Sequence, residues 1–242
     1  MSVYVYGITR AAVTLPAGLR GLGDPPARVR TLVAGPLAAV VSAAPERLRA
    51  RRRDLQAHQD VLLAVAACGP MLPSRFAVVA ADEDAVRDRL RAGSDSWPAA
   101  LDQVAGRVEM NLKAITVESG LADLLREDPA LRQLRQEVRR RPGYDASIRL
   151  GEAVMAGLRR RAAAGAEQAI TALAGLAEAT QPGPEVEGCV RNISFLVAAE
   201  RAAGFRTAVE GLAARLAGQV ELRLTGPLPC YSFSALRAAA GV

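Results

Sequence analysis

Acid–base chemistry in this chain would have to begin at His58, its single histidine. His58 stands in the run Leu55-Gln56-Ala57-His58-Gln59-Asp60. On a helix, Asp54 lies four residues earlier on the same face, and the two would form a base oriented by a carboxylate. The same position is three residues after Leu55 and four before Leu62, at the border of an apolar stripe. A histidine bordering the core, with one ring nitrogen hydrogen-bonded, is the reading adopted. No G-x-S-x-G elbow supplies a nucleophile. Cys68, Cys189 and Cys230 lie far apart without a C-x-x-C pair, which argues against a zinc site or a disulfide framework and fits a reducing cytoplasm. Gly18-Leu19-Arg20-Gly21-Leu22-Gly23 looks like a phosphate loop but runs into Asp24-Pro25-Pro26 instead of a helix, and it lacks the Gly-Lys-Ser/Thr ending. The acids Asp82-Glu83-Asp84 suit the first turn of a helix better than paired acid–base work. No catalytic, cofactor-binding or metal-binding residue is assigned, and no cofactor is expected.

Charge points to partners only weakly. The chain has 242 residues, with 31 basic and 25 acidic side chains, a surplus of +6. Lys113 is the only lysine, and arginines cluster at Arg47–Arg53, Arg139–Arg141 and Arg159–Arg161. Acids are interleaved along most of the chain and no stacking aromatics accompany the clusters, so solvated helix faces are preferred to a nucleic-acid site. The start, Met1-Ser2-Val3-Tyr4-Val5-Tyr6-Gly7-Ile8, lacks the basic region and long apolar core of a secretory signal. The longest uncharged apolar stretches fall short of the roughly 18 residues a membrane helix needs, so no membrane span is expected.

The elements that would carry these residues follow from periodicity and turn chemistry. Val3 to Gly7 reads as a strand, and Thr31–Ala34 with Leu37–Ser42 as a hairpin around Gly35-Pro36. Pro45-Glu46 is expected to open a helix carrying Leu48, Leu55 and Leu62 on one face, ended by Gly69-Pro70. Met71–Val79 reads as a strand and Asp82 to Leu90 as a helix. The first hundred residues then form a small α+β unit, β-ββ-α-β-α. In the second half Arg107–Val117 alternates with period 2, which argues for a strand. Gly120–Arg140 reads as an interrupted helix. Ser147–Ala179 reads as a long helix with Ile148, Met155, Leu158, Ile170, Leu173 and Leu176 inward, stopped by Pro182-Gly183-Pro184. Val186–Val190 and Ile193–Ala199 read as two strands, Gly204–Leu216 as a helix and Val220–Thr225 as a last strand. The fold class expected is α+β in two domains. They are an N-terminal α+β domain (1–105) and a C-terminal ferredoxin-like βαββαβ domain with a helical insert (106–226), followed by an extended tail (227–242). That fold hosts many functions and decides none.

A few side chains sit oddly in their stretches. Arg75 lies inside a strand-like segment and Glu109 inside the long strand, so they could pair between the domains or be solvated independently. Tyr231 and Phe233 follow a Pro-rich exit from the last strand, whose stiffness lowers the entropy lost when the two rings dock, on the protein itself or on a partner. Arg51 and Arg52 could attract an acidic partner surface. These six residues are the candidate partner-binding or inter-domain set.

The same segments resemble the gas-vesicle protein F/L family. The matches run in family order along nearly the whole chain. They are Tyr4-Val5-Tyr6-Gly7-Ile8, the His58 helix with Leu72-Pro73-Ser74-Arg75-Phe76, Glu109 with Lys113, Asn192-Ile193-Ser194-Phe195-Leu196-Val197, and Leu224-Thr225-Gly226-Pro227 with Tyr231-Ser232-Phe233. Ala77 stands where the family usually has glycine, Leu228 and Cys230 replace its Trp and Pro, and Arg141-Pro142-Gly143-Tyr144-Asp145 follows its pattern loosely. The resemblance implies a non-enzymatic accessory protein of gas vesicle assembly, cytoplasmic and associated with the vesicle as a minor or surface component. It implies as partners the hydrophobic shell-forming gas vesicle protein A and other accessory vesicle proteins, with neither nucleic acid nor membrane. An Arg-rich RNA-binding ferredoxin-like module is the second reading, weakened by strands that lack the aromatic pattern such modules use.

Overall fold

Valine and tyrosine, residues that fit a pleated surface, make β1 (Val3–Arg10) the most enclosed strand of the first sheet, buried at every position but the last. The computed structural model describes residues 1–234. They divide into two compact units, residues 1–109 with the chain from Pro227 onward, and Met110–Gly226.

In the first unit the Gly35-Pro36 turn joins β2 (Arg30–Ala34) to β3 (Leu37–Ala43) in the expected antiparallel hairpin, with Leu32 opposite Ala39. β3 pairs with β1, and the register slips by one residue between Val5 and Gly7. Gly7 must be glycine here. A Cβ at that position would lie 2.4 Å from the Leu72 carbonyl oxygen, because β4 (Met71–Pro73) runs alongside it. With β5 (Val79–Ala80) on the start of β1, the sheet has the order β2-β3-β1-β4, five strands in all.

Three expectations for this unit need correction. The helix does not start at Pro45; α1 runs from Arg52 to Ala66, and no side chain caps it. Asp54 is the acid in its first turn, beside Arg52 and Arg53. The inward face of α1 is consequently His58, Val61, Leu62 and Val65; Leu55 is exposed, and Leu48 reaches the core from the irregular segment before the helix. The strand read over Met71–Val79 breaks into β4 and β5 where the chain turns at Ala77, which has φ 74°. The third correction is an addition. After α2 (Glu83–Ala92), whose N-terminus the Asp82 carboxylate caps at 2.8 Å from the Ala85 amide, comes α3 (Trp97–Val104), which buries Trp97, Ala100, Leu101 and Val104.

The second unit is entered through β6 (Arg107–Thr116), where Met110, Leu112 and Ala114 are buried in the alternation that the sequence displays. After a 3₁₀ turn come α4 (Leu121–Glu127) and α5 (Pro129–Arg140), split at Asp128, whose carboxylate caps α5. Then follow α6 (Tyr144–Ala174), β7 (Ala179–Pro182), β8 (Cys189–Ala198), α7 (Ala202–Arg215) and β9 (Val220–Leu228). The four strands lie in the order β7-β8-β6-β9. Counting β6 as the first, the last strand lies beside the first, giving the ferredoxin-like βαββαβ arrangement with α4 and α5 as the helical insert.

Here too the sequence reading shifts. The long helix ends at Ala174 instead of Ala179, and the residues after it form β7, so Pro182 closes a strand and not a helix. Val186–Val190 and Ile193–Ala199 are not two strands but flank and form one, β8, and the hairpin partner of β8 is β7. The inward face of α6 is made of small residues, Gly157, Ala162, Gly165, Ala166 and Ala169, bracketed by Leu158 and Leu173. Gly165 comes so close to Val220 that a Cβ would lie 2.9 Å from its side chain. Ile148 and Met155, expected inside, are exposed.

Candidate functional site

β1 and α1 bring three ring systems together inside the first unit. Tyr4 and Tyr6 sit two residues apart on β1, both fully buried, with ring centroids 4.9 Å apart. The His58 ring stacks on Tyr6 at 5.7 Å and meets Tyr4 edge-on, and Phe76 approaches both Tyr4 and His58 edge-on. Helical spacing turns His58 inward with Val61, Leu62 and Val65, so it lies within the core and not at its border.

The hydrogen bonds fix the protonation pattern of this node. A carbonyl can only accept, so His58 Nε2–H donates to the Ser74 carbonyl at 3.2 Å. Nδ1 is then the acceptor, and the Tyr4 hydroxyl donates to it at 2.9 Å. The Tyr4 oxygen in turn accepts the Ala77 amide at 3.1 Å. Tyr6 is used alike: its hydroxyl bonds Ser42 Oγ at 3.1 Å and accepts the Leu22 amide at 2.9 Å. Burial holds the His58 pKa below the ordinary histidine value, against the Ser74 carbonyl, which favours the charged ring. Burial likewise drives the Tyr4 and Tyr6 phenols above theirs. The network is neutral, and it ties β1, α1 and the 74–77 turn together. Asp54, the proposed orienting carboxylate, pairs with Arg53 at 3.5 Å and makes no bond to His58.

Ala77 holds its amide toward Tyr4 only by adopting a left-handed backbone, which a Cβ disfavours by roughly 1–2 kcal/mol. Replacing Ala77 by glycine should therefore stabilise the chain by about 0.5–1 kcal/mol, after allowing for the greater freedom of glycine in the unfolded state. An upward shift in the urea midpoint measures it, and no gain would mean that the turn carries no such strain.

Glu109 anchors a second joint within the same unit. Its side chain is buried, and its two oxygens accept the Ser232 amide at 2.7 Å and the Ser232 hydroxyl at 2.8 Å. That fastening lays Tyr231 on the core cluster that contains Tyr4 and Tyr6. Burial, with Glu109 nearby, pushes the Tyr231 phenol up to about 12, and the same two causes push the Cys230 thiol up to about 12. Cys230 is buried and donates to the Arg107 carbonyl, whereas Cys68 is exposed. A thiol reagent at pH 8 should label Cys68 readily and Cys230 at least about 100-fold more slowly until the protein is unfolded. Equal labelling rates in the folded protein would contradict this placement.

Of the six candidate residues, Glu109, Tyr231 and Phe233 come from segments that this joint brings together. Arg75 is not paired with Glu109 among the described residues; it is exposed beside the 76–77 turn. Arg51 and Arg52 are exposed at the start of α1. Arg51 also borders a cavity of about 660 Å³ with Arg47, Arg49 and Arg53, in which Arg53 lies 3.7 Å from Asp24. Sequence reasoning missed the Tyr4–His58–Ser74 relay. Its available signal was two tyrosines at period 2 on an otherwise aliphatic strand, a spacing that puts both phenols on one face, where each needs a polar partner.

The second unit has a smaller joint. Asn111 Nδ2 donates to Asn192 Oδ1 at 2.8 Å and Ser194 Oγ at 3.1 Å, while Asn192 Nδ2 donates to the Pro184 carbonyl at 2.9 Å. Phe195 and Phe205 pack 5.2 Å apart beneath the sheet. Among the described residues, no group of three or more His, Cys, Asp or Glu side chains could hold a metal ion, and no helix is long and apolar enough to cross a membrane.

Fold and site together define a two-unit α+β protein, one unit knit by a buried histidine–tyrosine node and the other ferredoxin-like. The sequence model of the gas vesicle synthesis protein GvpL/GvpF family matches residues 2–235, and the chain belongs to that family. It is 43% identical over 237 residues to gas vesicle protein F of Streptomyces sp. (strain CB03234), covering 96% of this chain and 99% of that protein. It is 32% identical over 260 residues to gas vesicle protein L of the same organism, covering 96% and 92%. Crystal structures of GvpF from Anabaena sp. PCC7120 and Microcystis aeruginosa share the fold, with TM-scores of 0.78 and 0.75 at 22% identity, each covering 96% of this chain and 98% of the other. Family membership gives the chain a role in gas vesicle formation.

Proposed function

We propose that this chain is a non-enzymatic accessory protein of gas vesicle assembly, acting in the cytoplasm at the nucleating and growing vesicle. It binds the hydrophobic shell-forming gas vesicle protein A and limits its aggregation until the subunit is delivered. The observation that carries the reading is the family match along residues 2–235. The use of the chain's one histidine in an internal joint supports it, because that histidine is then not presented to a substrate. Unassembled shell subunits expose apolar surface and strand edges, which aggregate unless covered. The first unit offers a matching element in β2, an edge strand of its sheet with Val33 exposed, suited to strand addition.

Co-expression with the shell-forming protein, followed by affinity capture and a sedimentation assay, tests the proposal. Capture together with a larger soluble fraction of the shell protein is the expected result. A folded, monodisperse chain that neither captures the shell protein nor raises its solubility would sink direct binding and leave other accessory vesicle proteins as the contacts.

A further inference from the structure

The chain from Pro227 returns to the first unit as a hook that makes its own shape. The Tyr231 amide donates to the Pro229 carbonyl at 2.7 Å, and the Phe233 amide to the Cys230 carbonyl at 3.3 Å. The Ser234 hydroxyl donates to the Tyr231 carbonyl at 3.1 Å. Pro227 and Pro229 fix φ on the way in. A segment ordered by its own bonds loses little entropy when it docks and gains little when it leaves.

The slot that receives the hook reads three consecutive positions. The Arg107 carbonyl accepts the Cys230 thiol at 3.6 Å, and the cluster of Tyr4 and Tyr6 takes the Tyr231 ring. The Glu109 carboxylate, 4% exposed, accepts both the amide and the hydroxyl of Ser232. A buried carboxylate that takes the main-chain and side-chain donors of one residue selects serine or threonine there, as a peptide-binding site does. The rest of the unit closes without the hook. β1 to β5 pair among themselves, and the Tyr4–His58–Ser74 relay joins β1, α1 and the 74–77 turn. Releasing the hook therefore breaks neither the sheet nor the node, and costs less than unfolding the unit.

We infer that hook and slot are an exchangeable pair, so that the hook of one copy of this chain enters the slot of a second copy and links the two. The occupant follows from identity. A second copy presents the same Cys-Tyr-Ser-Phe turn, and every contact of the closed form is remade. The tether is long enough to act, since Gly226 to Ser232 spans about 20 Å when extended. In dilute solution the closed form dominates, because a hook on so short a tether competes at an effective concentration on the order of 1 mM. Exchange is thus a property of crowded copies, or of copies in which one half of the pair is disabled.

The test mixes two full-length variants that fail in complementary ways. Tyr231→Ala/Ser232→Ala spoils the hook and empties the slot, whereas Glu109→Ala spoils the slot and frees the hook. Sedimentation equilibrium at about 0.5 mM suits a joint of one ring and two hydrogen bonds. Reductant keeps the exposed Cys68 from bridging copies. Each variant alone should be a monomer, and the mixture should contain heterodimer. The peptide Leu-Pro-Ala-Tyr-Ser-Phe-Ser, residues 228–234 with Cys230→Ala, should bind the hook-spoiled variant about tenfold or more tightly than it binds wild type, whose slot is filled. It should also disperse the heterodimer, and the same peptide with alanine for its tyrosine and first serine should do neither. Peptide binding without heterodimer would overturn the link between copies and leave the slot to a segment of another protein. No peptide binding, or association of either variant by itself, would overturn the inference outright. Should circular dichroism show a variant unfolded, hydrogen exchange of the wild-type chain decides. The Ser232 amide should exchange about tenfold or more faster than the most protected amides of β1 and β3, and exchange at their rate would overturn the release on which the pair depends. No shell protein enters these assays, so their outcome is independent of the capture experiment.

Discussion

Removing the His58 ring should cost the first unit about 3–5 kcal/mol, a large share of the roughly 5–15 kcal/mol that holds a typical domain folded. In His58→Ala the loss combines a cavity among Tyr4, Tyr6 and Phe76 with two buried polar groups, the Tyr4 hydroxyl and the Ser74 carbonyl, deprived of their partner. His58→Phe refills the space but not the hydrogen bonds, and should recover about 1–2 kcal/mol of that loss. Urea unfolding followed by tyrosine fluorescence measures both. A His58→Ala chain as stable as wild type would show that the node does not hold the unit together.

The same residue sets a pH signature. The folded-state pKa of His58 is depressed, so between that value and the unfolded value of about 6.5 the unfolded chain binds the extra proton. The stability contributed by the neutral ring is complete above about pH 6.5 and is lost as pH falls through the window below it, with a limiting slope of about 1.4 kcal/mol per pH unit for one proton. His58→Phe should flatten this part of the profile and leave the carboxylate-driven fall at lower pH. Parallel profiles for the two proteins would count against a neutral, internally bonded His58.

The other large effect is expected at Glu109. Its carboxylate accepts two hydrogen bonds from one residue, Ser232, and bonds to a charged group are each worth about 1.5–3 kcal/mol. Glu109→Ala should destabilise the first unit by about 2–4 kcal/mol and free the segment after Pro229. Glu109→Gln, which still offers one oxygen but presents an NH₂ group to a donor, should fall between the two. The discriminating readouts are faster exchange of the Ser232 amide and faster labelling of Cys230. Loss of stability with Cys230 still protected would place the role of Glu109 elsewhere.

Particular residues explain how far the sequence could be read. The β1 strand, the Gly35-Pro36 hairpin and the alternation of β6 were legible because β-branched residues, turn chemistry and period 2 agree there. Pro45-Glu46 misled because a proline followed by an acid is a local start signal, whereas the chain stays irregular to Arg51 and sets Leu48 against the core from outside the helix. α6 misled in a different way. Its buried face is glycine and alanine, so the larger apolar residues, Ile148 and Met155, drew the predicted inward face to the exposed end. β7, Ala-Thr-Gln-Pro, carries no strand signal of its own and exists because β8 pairs with it. Among the candidate residues, Glu109 and the Tyr231–Phe233 segment were conspicuous as polar or aromatic groups in the wrong company. That Glu109 meets Ser232 and not Arg75 depends on the return of the chain after β9, a long-range event that no local pattern encodes.

That return has a bearing on how the protein is made. Residues 1–109 and the chain from Pro227 belong to one unit, and Met110–Gly226 is threaded between them as an insertion. A ribosome releases the whole inserted unit before it releases Tyr231 and Ser232. The ferredoxin-like part can therefore mature during translation, while Glu109 waits with its acceptors unused and the first core lacks its final aromatic ring. The first unit is thus completed only once the chain has passed Ser232, so chains broken off between Leu228 and Ser232 would carry the whole second unit and an unfinished first one.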